Sequence, residues 1–154
     1  MTTTLKKKQT IQAKMRQLNK IQTIIFLSGA VLMVIGAGTY VFSAWAASAV
    51  VFAIGAIAFA SMQLMQTYDG NNISLRRLRR IMSIGDVMFI LSAILMLENS
   101  FRFLLPLFTN YFSNGYYYYV TYINNNWVVL LLIAAILEIY TTHRISNELK
   151  KDNG

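Results

Sequence analysis

The sequence predicts an all-α membrane protein: an antiparallel bundle of four transmembrane helices with both termini in the cytoplasm. Three observations lead there. The 154-residue chain is 56% hydrophobic and 13% charged, where a soluble domain carries about 25% charged residues. Its charges are largely kept out of four long apolar stretches, the signature of membrane spans. Thirteen of its fourteen Lys and Arg residues flank those stretches on one side of the alternating topology.

Residues 1–20 form a basic arm carrying Lys6, Lys7, Lys8, Lys14, Arg16 and Lys20. Within it Ile11, Met15 and Leu18 fall at helical spacing. This pattern suits an amphipathic stretch lying on the membrane surface, or equally a solvated tail. The first span covers residues 21–42, and at about 1.5 Å per residue its length comes to roughly 33 Å, a bilayer core. Ala44-Trp45-Ala46 resembles a signal-cleavage site. The apolar stretch before it exceeds the roughly 7–15 residues of a signal peptide, so it reads as an uncleaved anchor.

Residues 43–45 leave room for a tight turn alone, which makes the first two spans antiparallel neighbours. The second span runs over residues 45–68 and ends on the turn-forming Asp69-Gly70-Asn71-Asn72. Arg76, Arg77, Arg79 and Arg80 follow in a loop suited to anionic headgroups. The third span, residues 81–105, is apolar from Ile81 to Leu97 except for Asp86; Glu98, Asn99 and Arg102 mark its far end, and Pro106 is placed to end or kink it. Residues 107–126 make the one long connection. Residues 127–140 are too few to cross at about 1.5 Å each, so the fourth span is expected over residues 120–144. A polar tail covers residues 145–154.

Charge sets the orientation. The arm, the 69–80 loop and the tail hold thirteen Lys and Arg, while the 43–45 turn and the 107–126 loop hold none. The positive-inside rule therefore puts both termini and the middle loop in the cytoplasm, with an integral position in a bacterial cytoplasmic membrane as the expected location. The opposite side is aromatic: residues 101–127 carry eleven of the twenty Phe, Tyr and Trp. Such rings belong at headgroup level, or form a docking surface.

Two features concern packing. In the second span Ala46, Ala49, Ala53, Ala56, Ala60 and Gln63 step by three and four, which places small residues along one helix face. Small residues allow the close backbone approach that holds helices together in lipid. Gly29 and Gly36 of the first span are expected to oppose this strip, and the strip serves either that hairpin or an oligomer interface. At the far end of the third span Glu98 and Arg102 are spaced i, i+4, as in a helical ion pair.

Two carboxylates, Asp86 and Glu138, lie within spans, where ionisable groups are costly. Asp86 is six residues from Arg80 and Glu138 six from Arg144, so both sit about 9 Å from the cytoplasmic end. They form a proton- or cation-binding pair, or else one or both snorkel to the interface or pair with a nearby Arg.

The sequence carries no catalytic or cofactor signature. It has no cysteine and one histidine, His143, so no metal-binding set can be assembled from those residues. There is no glycine-rich nucleotide loop and no GxSxG elbow. The excess of positive charge flanks apolar stretches, which fits anionic lipid headgroups rather than nucleic acid. The expected function is non-catalytic, an interaction or accessory subunit that self-associates or joins other membrane subunits. The alternative is a small oligomeric transporter or channel, proton- or cation-linked, using Asp86 and Glu138.

Overall fold

The computed structural model describes residues 2–3, 18–43 and 46–153. Most of the basic arm and the 44–45 turn lie outside the described residues. Those described are helical, with no strand among them, and four of the helices are long and apolar enough to cross a membrane. In chain order they are α1 (Lys20–Ser43), α2 (Ala46–Leu64), α3 (Ile73–Phe101), α4 (Leu105–Tyr111), α5 (Gly115–Tyr122) and α6 (Trp127–Asn153).

Local chemistry sets their ends. Asn19 accepts from the Lys20 N–H at 2.8 Å, while its own N–H donates to Gln22 Oε1 at 2.9 Å, a box that starts α1. Asn72 caps α3 by accepting from the N–H groups of Ser74 and Leu75. That cap draws Arg76–Arg80 into the helix, so α3 begins at Ile73 rather than at residue 81, and the arginines sit on helix rather than loop. The α2 helix stops at Leu64, short of residue 68.

At its other end α3 stops at Phe101. Arg102 adopts a left-handed conformation with φ 52°, and its N–H closes on the Glu98 carbonyl. Pro106 lies in the first turn of the short helix α4, where its missing N–H costs nothing. It opens a helix instead of ending the span. The fourth apolar segment long enough to cross runs over Gly115–Lys151, and it is divided into α5 and α6. Asn125, with φ 58°, breaks the chain between α5 and α6. The polar tail then continues α6 to Asn153, because Ile145 and Leu149 pack on Leu75, Leu78, Met82 and Tyr68.

Each long helix packs on the next: α1 on α2, α2 on α3 and α3 on α6. The α1–α2 contact is backbone to backbone. A Cβ at Gly36 would sit 2.5 Å from the Phe52 nitrogen, one at Gly29 2.8 Å from the Phe59 nitrogen, and one at Gly55 2.7 Å from the Gly29 oxygen. The glycines of α1 therefore oppose Phe52, Gly55 and Phe59, and not the alanine strip. That strip is the neighbouring face of α2, rotated by about a quarter turn at about 100° per residue. Ala49, Ala53, Ala56, Ala60 and Gln63 are buried there, while Ala46 is exposed at the helix start. Phe89, Ala93 and Met96 of α3 complete the same core.

The series does not close into a ring. The α1 and α6 helices do not pack along their length. They meet at the aromatic end, where the Tyr40 and Trp127 rings lie edge to face with centroids 5.2 Å apart. Elsewhere an apolar groove of about 410 Å³ opens between them, with Ala30, Val34 and Ala37 on one wall and Leu131 and Ala135 on the other.

Candidate functional site

The basic end of the molecule holds a buried polar cluster drawn from three helices. Asp86 lies on the α3 strip that also buries Met82, Phe89 and Ala93, and it is 1% exposed. Glu138 enters from α6. Its Oε2 lies beside Gly85, 3.7 Å from where a Cβ on that glycine would stand. Gln63, the polar member of the alanine strip, donates from Nε2 to Glu138 Oε1 at 2.5 Å.

Arg79 completes the cluster from one end. Arg76, Arg77 and Arg80 are exposed and remain suited to headgroups, but Arg79 is half-buried. Its guanidinium donates to the Gln66 backbone oxygen, to Gln66 Oε1 and to the Met82 sulfur. It forms no ion pair with Asp86 or Glu138 within 4 Å, yet all three are within electrostatic reach of one another. Among the four arginines of this segment, Arg79 is thus the half-buried one, held against Gln66 and Met82. Its signal in the sequence was its spacing from Asp86, seven residues and so two helical turns, on the same face.

Several buried atoms of the cluster have no hydrogen-bond partner among the described residues: both Asp86 oxygens, Glu138 Oε2, Gln63 Oε1 and Arg79 Nε. Buried polar atoms are normally satisfied, so this concentration is chemically distinctive. The expected pairing of Asp86 with Glu138 is a neighbourhood of charges, and Gln63 and Arg79 extend it beyond the two residues singled out by the sequence.

A second polar node lies at the aromatic end. Glu98 is fully buried. Its Oε2 accepts from the Leu104 N–H and its Oε1 from the Tyr119 hydroxyl, both at 2.9 Å. The expected Glu98–Arg102 ion pair does not form, because Arg102 has left helical geometry and no longer lies on the Glu98 face. Nearby, the Tyr40 hydroxyl accepts from Asn99 at 2.7 Å, and Ser92 donates to the Trp127 carbonyl at 2.9 Å. These bonds fasten α4, α5 and the start of α6 to the end of α3, so this node is a structural clasp. The rings around it are largely exposed, among them Tyr111, Tyr116, Tyr117 and Tyr122. The chain matches no protein-family model, no curated protein and no solved structure.

Proposed function

We propose that this protein is a non-catalytic subunit of a bacterial cytoplasmic membrane that works by associating with other helices in the bilayer, either further copies of itself or other membrane subunits. Both termini and the arginine-bearing start of α3 face the cytoplasm and its anionic headgroups. The observation that carries this reading is the open side of the bundle. Among the described residues α1 packs along its length on α2 alone and meets α3 and α6 only through Tyr40, while much of its remaining surface is apolar and exposed, including Val31, Val34 and Ile35. The groove beside it is walled by alanines at Ala30, Ala37 and Ala135, the small residues that permit close helix approach in lipid.

The test uses the absence of native cysteine. Single cysteines at Val34 and at Leu132 should form disulfide-linked species in the native membrane, while one at the buried Phe52 should not. Monomeric behaviour in nanodiscs, with no cross-link at either position and no co-purifying membrane protein, would overturn the proposal.

A second reading, a cation- or proton-linked oligomeric transporter, draws support from the unpartnered oxygens around Asp86 and Glu138. Ion flux in liposomes, lost in Asp86→Asn, would favour it over the first.

A further inference from the structure

Around Asp86, four buried oxygens lack a hydrogen-bond donor: Asp86 Oδ1 and Oδ2, Glu138 Oε2 and Gln63 Oε1. They come from three helices, which the Gln63–Glu138 bond and the position of Glu138 Oε2 beside Gly85, the neighbour of Asp86, bring together. Asp86 itself is 1% exposed, and both its oxygens are buried without a partner. We propose that these residues bind one alkali-metal cation at the junction of α2, α3 and α6, with Arg79 as a fixed counter-charge.

The donor set gives the class of ligand. All four free atoms are carboxylate or amide oxygens, which suit hard cations, and no thiol or imidazole takes part. The Gln63 amide is held in a useful orientation. Its nitrogen is committed to Glu138 Oε1, which leaves its oxygen available.

Charge gives the valence. With both carboxylates ionised, they and the guanidinium sum to a single negative charge, and an uncompensated charge is expensive in a buried site. One monovalent cation makes the cluster neutral, whereas a divalent ion would leave it positive. Arg79 cannot supply the missing contact itself. Its two Nη groups donate to Gln66 and Met82 and its Nε makes no hydrogen bond, so it contributes field without occupying the carboxylate oxygens.

This inference names a ligand for the transport reading but needs no movement of that ligand. The experiment is thermal unfolding of the full chain in nanodiscs, in LiCl, NaCl, KCl and choline chloride at equal ionic strength, with equilibrium dialysis against radioactive sodium. At least one alkali chloride should raise Tm saturably over choline, and about one sodium ion should be retained per chain. Asp86→Asn and Glu138→Gln should each lose the shift. If neither variant folds, retention by the wild-type chain decides. Equal Tm in all four salts with no retained sodium overturns the site. A Tm that follows pH but not the alkali cation overturns it too, because a proton then supplies the charge. A larger shift in MgCl₂ overturns the argument for a monovalent ion. Binding without flux in liposomes removes the transport reading and leaves the site intact.

Discussion

Gln63 of α2 donates to the Glu138 carboxylate of α6 at 2.5 Å, although these two helices do not pack along their backbones. The bond bridges the side of α3 on which Asp86 lies, and it ties the second helix to the last. Gln63→Met keeps the approximate size of the side chain and removes the donor. Glu138 then loses its described hydrogen bond in a buried setting, at an expected cost of about 1–3 kcal/mol. Unfolding in mixed micelles followed by tryptophan fluorescence measures it. Stability equal to wild type would mean that water, lipid or another group satisfies Glu138.

The α1–α2 contact gives a prediction with an internal control. Gly36→Ala and Gly55→Ala each place a methyl group against backbone atoms at 2.5–2.7 Å, which the neighbouring helix cannot yield without moving away. Overpacking of this kind costs about 1–3 kcal/mol. Gly38 has nothing within 4 Å of its would-be Cβ, so Gly38→Ala should be neutral or stabilising by up to about 1 kcal/mol through helix propensity. Melting temperatures of the three variants in one detergent check the order. Ala56→Leu, at a fully buried position in the α2–α3 core, should behave like the first two.

The clasp at the aromatic end separates Glu98 from the residue first expected to pair with it. Tyr119→Phe removes the hydroxyl that Glu98 Oε1 accepts from, and should cost about 1–3 kcal/mol. Arg102→Ala should cost less than about 0.5 kcal/mol, since the residue is exposed and makes no ion pair. The comparison is made by thermal unfolding. The reverse order of effects would restore the Glu98–Arg102 pair and contradict the clasp.

These contrasts show what the sequence made legible. The four spans were readable because lipid imposes long, nearly uncharged helices, and Asp86 and Glu138 stood out against that background. Helix ends were less readable. The Asn72 cap and the Asn125 turn act through backbone angles that hydropathy does not register, so the start of α3 was displaced and the break between α5 and α6 went unread. Ile145 and Leu149 seemed part of a polar tail because their partners, Leu75 and Leu78, lie some seventy residues earlier in a segment dominated by arginine. The alanine strip was visible as a face, but its partner was not. Spacing fixes which residues share a face, and the partner of that face depends on how the backbones meet at Gly29, Gly36 and Gly55. The inward turn of Arg79 among four neighbouring arginines is a tertiary event of the same kind.

The proposed topology can be tested apart from any packing or ion. With no native cysteine, a single cysteine at Asn114 or at Asn153 is the sole thiol in the chain. Asn114 lies between α4 and α5 at the aromatic end, and Asn153 ends α6 at the basic end. The four spans alternate in direction, so these positions lie at opposite ends of the bundle, and the proposed orientation, which rests on the arginines of α3, puts the Asn153 end in the cytoplasm. A membrane-impermeant maleimide should label the Asn114 cysteine in intact cells and reach the Asn153 cysteine only after permeabilisation. Asn114 is exposed and Asn153 is the last residue of α6, so neither substitution should disturb the fold, and full labelling of both in detergent is the control. Labelling at Asn153 from outside intact cells would invert the orientation. The basic end, with Asp86, Glu138 and Arg79 behind it, would then open to the exterior, and a cation reaching that cluster would enter from the opposite side.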